Sequence, residues 1–155
     1  SRVNAYTTDP DSVTTSIWGS AVRDTELNIP PASTHDEWTR CVMNQDIDLL
    51  FLSSHTHQLA TGFTVYAFDG TRTGELLYTN DDWHAPRLMT FSPQRHVAAG
   101  TGFEFHCLYD NPTDVEVHWG FTAADEMCQI GIVHTPGSTT AACDVVETSD
   151  GVLPG

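Results

Sequence analysis

Three features of the 155-residue chain predict an all-β fold of two antiparallel sheets packed as a sandwich. Side chains alternate in character over short runs, β-branched and aromatic residues crowd those runs, and chain reversers separate them. Helical periodicity is nearly absent. Nine strands are expected in order. Val13 to Val22 is rich in β-branched residues and leads to the Pro30-Pro31 turn. Glu37 to Met43 alternates Trp38, Arg40 and Val42 with Thr39, Cys41 and Met43. Ile47 to His57 contains the apolar run Leu49 to Leu52, and no apolar run in the chain is longer. Phe63 to Phe68 and Gly74 to Tyr78 flank the Asp69-Gly70 turn, and Arg87 to Phe91 lies between two prolines. Phe103 to Tyr109 sets Phe103, Phe105, Cys107 and Tyr109 against Glu104, His106 and Leu108, and it stops at Asp110-Asn111-Pro112. Val115 to Phe121 alternates as strictly. A hairpin turning about Pro112 would make His106 and His118 cross-strand neighbours, a conceivable metal or proton-relay pair. Met127 to His134 precedes Pro136-Gly137. Nine short strands at this spacing suggest a jelly-roll-like sandwich. One domain is expected over 1–143, and the acidic, turn-rich tail 144–155 is expected to lie loosely on the surface.

The charge balance narrows the functions. There are 21 acidic residues against 6 basic ones, all arginine, for a net charge of −15. Such a surface repels phosphate backbones and anionic bilayers, so no nucleic-acid or membrane partner is expected. A membrane span would need about 20 apolar residues. No basic segment followed by an apolar one opens the chain, so any export signal is expected to have been removed. Cys41, Cys107, Cys128 and Cys143 lack the C-x-x-C spacing of zinc or redox centres. They read as two disulfides in a secreted or periplasmic protein, with three pairings open.

Ser53-Ser54-His55-Thr56-His57 is the most informative stretch. In a strand, alternate side chains share a face, so His55 and His57 point the same way with Cα atoms about 7 Å apart, close enough to chelate one metal. Alone, such a pair is more often two histidines on a wet sheet face. Met127, in Asp125-Glu126-Met127-Cys128, is an odd place for a core thioether, although a lone methionine usually fills a core. A soft sulfur beside two imidazoles selects copper, Cu(I) in particular. A blue-copper site is disfavoured because Met127, Cys128 and His134 stand in the wrong order. The acidic runs lack the spacing of a calcium loop.

Together with Ile29-Pro30-Pro31, the Cys-x-Tyr-x-Asn strand end at 107–111 and Asp125 to Cys128, the His-Thr-His pair resembles a known pattern. It is that of the C-terminal, oxygen-activating copper domain of the copper type II, ascorbate-dependent monooxygenases, over roughly Ile17 to Cys143. This family includes peptidylglycine α-hydroxylating and dopamine β-monooxygenases. The resemblance implies that His55, His57 and Met127 are the catalytic residues and bind one copper per chain. It also implies the pairings Cys41–Cys143 and Cys107–Cys128, closing loops of about 100 and 20 residues, worth about 4.7 and 3 kcal/mol by chain entropy. The second bridge would fix Met127 beside an adjacent strand.

The implied reaction is reductant-driven hydroxylation of a C–H bond in a small organic substrate by dioxygen, with ascorbate or another external reductant. The alternative is a copper-binding or electron-transfer protein without hydroxylase activity. Family enzymes carry an N-terminal copper domain that supplies electrons, so an N-terminal or separate electron-donor domain is an expected partner. The peptide-amidating members have an arginine matching Ser53 and a tyrosine matching Gly131, which makes a peptidylglycine substrate doubtful here. His84 and His118 are expected near the ligands without binding the metal. His35, His96 and His134 read as structural or surface residues.

Overall fold

The computed structural model describes residues 3–152. Among these, one 3-10 turn at Pro10–Ser12 precedes twelve strands: β1 (Trp18–Asp24), β2 (Asn28–Ile29), β3 (Ser33–Met43), β4 (Ile47–His55), β5 (Ala60–Phe68), β6 (Thr73–Asn80), β7 (Met89–Val97), β8 (Gly102–Asn111), β9 (Val117–His118), β10 (Cys128–Thr135), β11 (Cys143–Thr148) and β12 (Gly151–Val152). They form a four-stranded sheet ordered β1-β10-β4-β7, a six-stranded sheet ordered β12-β11-β3-β8-β5-β6, and a two-stranded ribbon of β2 and β9. Every paired strand is antiparallel.

Period-two alternation builds the core. On β8, Phe103, Phe105, Cys107 and Tyr109 are buried and meet Phe63 and Val65 of β5 and Cys41 and Met43 of β3. Leu49, Leu52, Ile130 and Ile132 fill the space from the other sheet. Phe63 stacks on Phe105 with ring centroids 6.0 Å apart. Cys107–Cys128 joins β8 to β10 and so links the two sheets, while Cys41–Cys143 staples β3 to β11 within one sheet. Both pairings are those the family resemblance implied. The Asp69-Gly70 turn joins β5 to β6 as expected. Gly70 takes φ 91°, a conformation open mainly to glycine, and the Asp69 carboxylate accepts from the N–H groups of Thr71 and Arg72.

Several expectations need correction. Val13 to Ile17 is not strand: Val13 and Ile17 are exposed and sheet pairing begins at Trp18. The alternation over Val115 to Phe121 yields only the two-residue β9, with Val115 and Phe121 exposed at 58% and 72%. Asn111 is the cause. Its buried amide donates to the carbonyls of Pro30 and Val115 and its oxygen accepts from Thr113, which turns the chain away from β8. His106 therefore faces Trp38 and Thr64 across the ladder, while His118 faces Asn28. They are not cross-strand neighbours. The acidic tail is not loose from residue 144, because β11 runs to Thr148 and pairs with β3, shielding Thr148 and continuing into β12.

Beside the inter-sheet disulfide lies a buried acid pair. Asp24 is the register partner of Cys128 and Glu37 that of Cys107, and both carboxyls are almost fully buried. Thr39 and the Glu26 N–H donate to Asp24. Glu37 accepts from the Ser149 hydroxyl and lies 3.0 Å from His35 Nε2. Burial, with Asp24, Asp150 and Asp36 adding repulsion, pushes the Glu37 carboxyl up to about 8. Between an unfolded value near 4.5 and this folded one, the native state holds a proton the unfolded chain has released, so stability falls as pH rises through that window. Glu37→Gln is expected to flatten the fall. Thermal unfolding at pH 5 and pH 8 should show a smaller loss of Tm in the variant than in the wild type, and an equal loss would show that this carboxyl is not the source.

Candidate metal centre

The end of β4 and the start of β10 define the site. In their register Gln129 faces His55 and Gly131 faces Ser53. Ser54, between Ser53 and His55, turns inward, is buried and bonds Tyr78 Oη at 3.0 Å, which leaves His55 on the outer face of the four-stranded sheet. The rings of His55 and His57 lie edge to face with centroids 5.3 Å apart. The His55 ring is held below the usual imidazole range, first by partial burial, then by His57 and Arg23. This favours the neutral form that can bind a metal.

His57 follows the last residue of β4 by two, and its orientation comes from the segment 125–127. Its Nδ1 lies 2.8 Å from the Asp125 carbonyl oxygen. A carbonyl only accepts, so Nδ1 carries the proton and Nε2 keeps its lone pair. Glu126 holds the backbone of the same turn: its fully buried carboxylate accepts from the N–H of His57 at 2.9 Å and of Leu59 at 2.7 Å. Burial raises the Glu126 carboxyl, opposed by the N–H groups it accepts from. In return, the Glu126 N–H donates to the His118 carbonyl.

Met127 is buried at 5% exposure, between that carboxylate and Cys128 of the inter-sheet disulfide. Its carbonyl accepts from the buried Tyr109 hydroxyl at 2.8 Å, and desolvation keeps that phenol protonated. The β4–β10 ladder ends at Gln129 and His55, so Met127 and His57 both lie just beyond its last paired residues. Among the described residues no three His, Cys, Asp or Glu side chains are grouped to hold a metal.

A cavity of about 270 Å³ opens beside His57, lined also by Gln58, Trp83, Phe121, Thr122 and Ala123. A larger one of about 430 Å³, between Phe68, Arg72, Leu77 and Arg95, is not lined by His55, His57 or Met127.

The family model for the copper type II ascorbate-dependent monooxygenase, C-terminal domain, matches residues 15–151. The chain belongs to this family. A search of curated proteins found no match. In this monooxygenase domain the two departures from the peptide-amidating pattern, Ser53 and Gly131, are direct cross-strand partners, and the Ser53 hydroxyl lies 3.0 Å from where a Gly131 Cβ would stand.

The remaining histidines divide by position. His84 is exposed and its ring lies edge-on to Trp83, which lines the cleft with His57. His118 is exposed, pairs with Glu116 at 3.1 Å and contributes its backbone carbonyl to Glu126. His106 bridges Asp36 and Glu104, and His96 meets Asp48. His134 is fully buried, with burial lowering its pKa.

Sequence reasoning missed Glu126, Tyr109 and the Trp83–Phe121 cleft. An acid directly before the candidate methionine was the available sign for Glu126, but nothing local announces a buried carboxylate. Glu126→Ala is expected to destabilise the domain by about 2–4 kcal/mol, since two backbone donors lose their acceptor. Hydrogen exchange at the His57 and Leu59 amides should accelerate beyond the global change. A folded variant with unchanged exchange at both amides would show that the carboxylate does not brace the turn.

Proposed function

We propose that this domain holds one copper ion with His55, His57 and Met127 and uses dioxygen and an external reductant to hydroxylate a C–H bond of a small organic substrate. The observation that carries this reading is the bonding of the Met127 segment to the His57 turn, in a chain of a copper monooxygenase family. Copper bound there would supply one-electron chemistry and the activation of dioxygen.

The protein's own groups set the conditions for that chemistry. His57 offers Nε2 because Nδ1 is committed to the Asp125 carbonyl. Partial burial, then His57 and Arg23, bias His55 toward the neutral form. Tyr109 and Glu126 fix the backbone on either side of the Met127 side chain, which limits the wandering of a thioether with three rotatable bonds. Three protein ligands leave room for exogenous ones, as a catalytic site requires. Trp83 and Phe121 offer an apolar wall beside His57 for the body of a substrate. Electrons would come from ascorbate, another small reductant, or an N-terminal or separate donor domain. Two disulfides and no free cysteine among the described residues suit a secreted or periplasmic setting.

Met127→Ile keeps apolar volume and removes the sulfur. The variant is expected to fold and retain the two-imidazole site, to lose the sulfur shell in X-ray absorption of the Cu(I) form, and to lose reductant-driven dioxygen consumption on the order of 100-fold. Full consumption by the copper-loaded variant, or a wild-type Cu(I) spectrum without sulfur, would overturn the ligand assignment. Dioxygen use that yields only peroxide with every substrate tried would favour a copper carrier.

A further inference from the structure

Arg23 is an anomaly of charge. Among the described arginines, Arg40, Arg72, Arg87 and Arg95 each meet a carboxylate at 2.5 to 3.9 Å. Arg23 has no such ion pair among the described residues, in a chain whose acids outnumber its bases 21 to 6. Its neighbour Asp24 does not serve, because that carboxyl turns inward to Thr39 and the Glu26 N–H. Val22 and Asp24 are buried, so by alternation Arg23 stands on the outer face of the four-stranded sheet, where it is partly exposed.

That face is the one bearing His55. Register puts Arg23 opposite Gln129 and Gln129 opposite His55, so the three form one row across β1, β10 and β4. Two strand spacings separate the ends of the row by about 10 Å, and an arginine side chain spans much of that distance. The adjoining row is Ala21, Gly131 and Ser53, all small. The face thus presents a shallow floor beside an unpaired guanidinium, with the Gln129 amide between the guanidinium and the imidazole.

We propose that Arg23 anchors a small monoanion, a carboxylate above all, whose body lies across Ala21, Gly131 and Ser53 within reach of His55. A guanidinium presents two parallel N–H donors that match a carboxylate, and no acid among the described residues forms an ion pair with this one. The small residues at 21, 131 and 53 leave this floor open beside the Arg23 strand. Calling the anion a substrate rests on the copper reading above. The anion site itself does not.

The test titrates the copper-free protein with phenylacetate and, in parallel, with neutral phenylacetamide, followed by two-dimensional amide NMR. Phenylacetate is expected to shift the amides of Arg23, Gln129 and Gly131 at millimolar concentration, and the amide analogue to leave them in place. Arg23→Gln should weaken phenylacetate binding at least about tenfold, while Arg72→Gln, a distant exposed arginine, should leave it unchanged. Equal binding by Arg23→Gln, equal binding of both ligands, or no shift at all would overturn the proposal. Copper loading and the Cu(I) sulfur shell are measured on the same Arg23→Gln protein and are expected to match wild type. Absence of the shell in both proteins would sink the copper reading and leave the anion result standing, whereas an intact shell with no phenylacetate binding by the wild type, or with equal binding by Arg23→Gln, would do the reverse.

Discussion

The buried carboxylate of Glu126 is the constraint on which the site depends. The β4–β10 ladder ends at His55 and Gln129, so beyond it the sheet no longer fixes the positions of His57 and Met127. Glu126 takes over from the ladder by accepting two backbone N–H groups of the opposing turn, while the Asp125 carbonyl takes the His57 ring proton. Two consecutive residues thus hold the turn and set the tautomer, and Met127, the proposed thioether ligand, follows them directly. A carboxylate in so buried a place is tolerated only because several donors converge on it.

Much of the fold was legible because it rests on local periodicity. The alternation in Phe103 to Tyr109 is a core strand, and the Asp69-Gly70 turn lies where the residues put it. Legibility failed where a single side chain outvoted the pattern. Val115 to Phe121 alternates as cleanly as β8, yet the Asn111 amide holds the preceding loop in a turn that leads the chain elsewhere. It failed again at the C-terminal side, where acids and turn residues suggested a loose segment. There Arg40 reaches both Glu104 and Glu147, so a charged residue stitches β11 to β3 and β8 instead of floating in solvent. Alternation reports which residues share a face but not which strand lies alongside.

The site was legible in a different sense. Strand alternation was expected to set His55 and His57 on one face, but β4 ends at His55 and the contacts from Asp125 and Glu126 hold His57, whose ring meets that of His55 edge to face. The proposed third ligand, Met127, could not be read from spacing, since about 70 residues separate it from the pair, and it rests on the family pattern. What neither spacing nor pattern offered was Arg23, whose relation to His55 exists only through two successive ladders, and the cleft of Trp83 and Phe121, whose loops share no local signal.

The ladder between β3 and β8 also bears on how the thiols find each other. Its register sets Cys41 against Phe103 and Cys107 against Glu37, four positions apart along the strands. At about 3.3 Å per residue that is some 13 Å, nearly twice the Cα separation a disulfide tolerates. The two cysteines made first during synthesis are therefore kept from joining each other once their strands zip together. Wherever that register is formed, it keeps these two sulfurs apart and leaves each to its mate on β10 or β11.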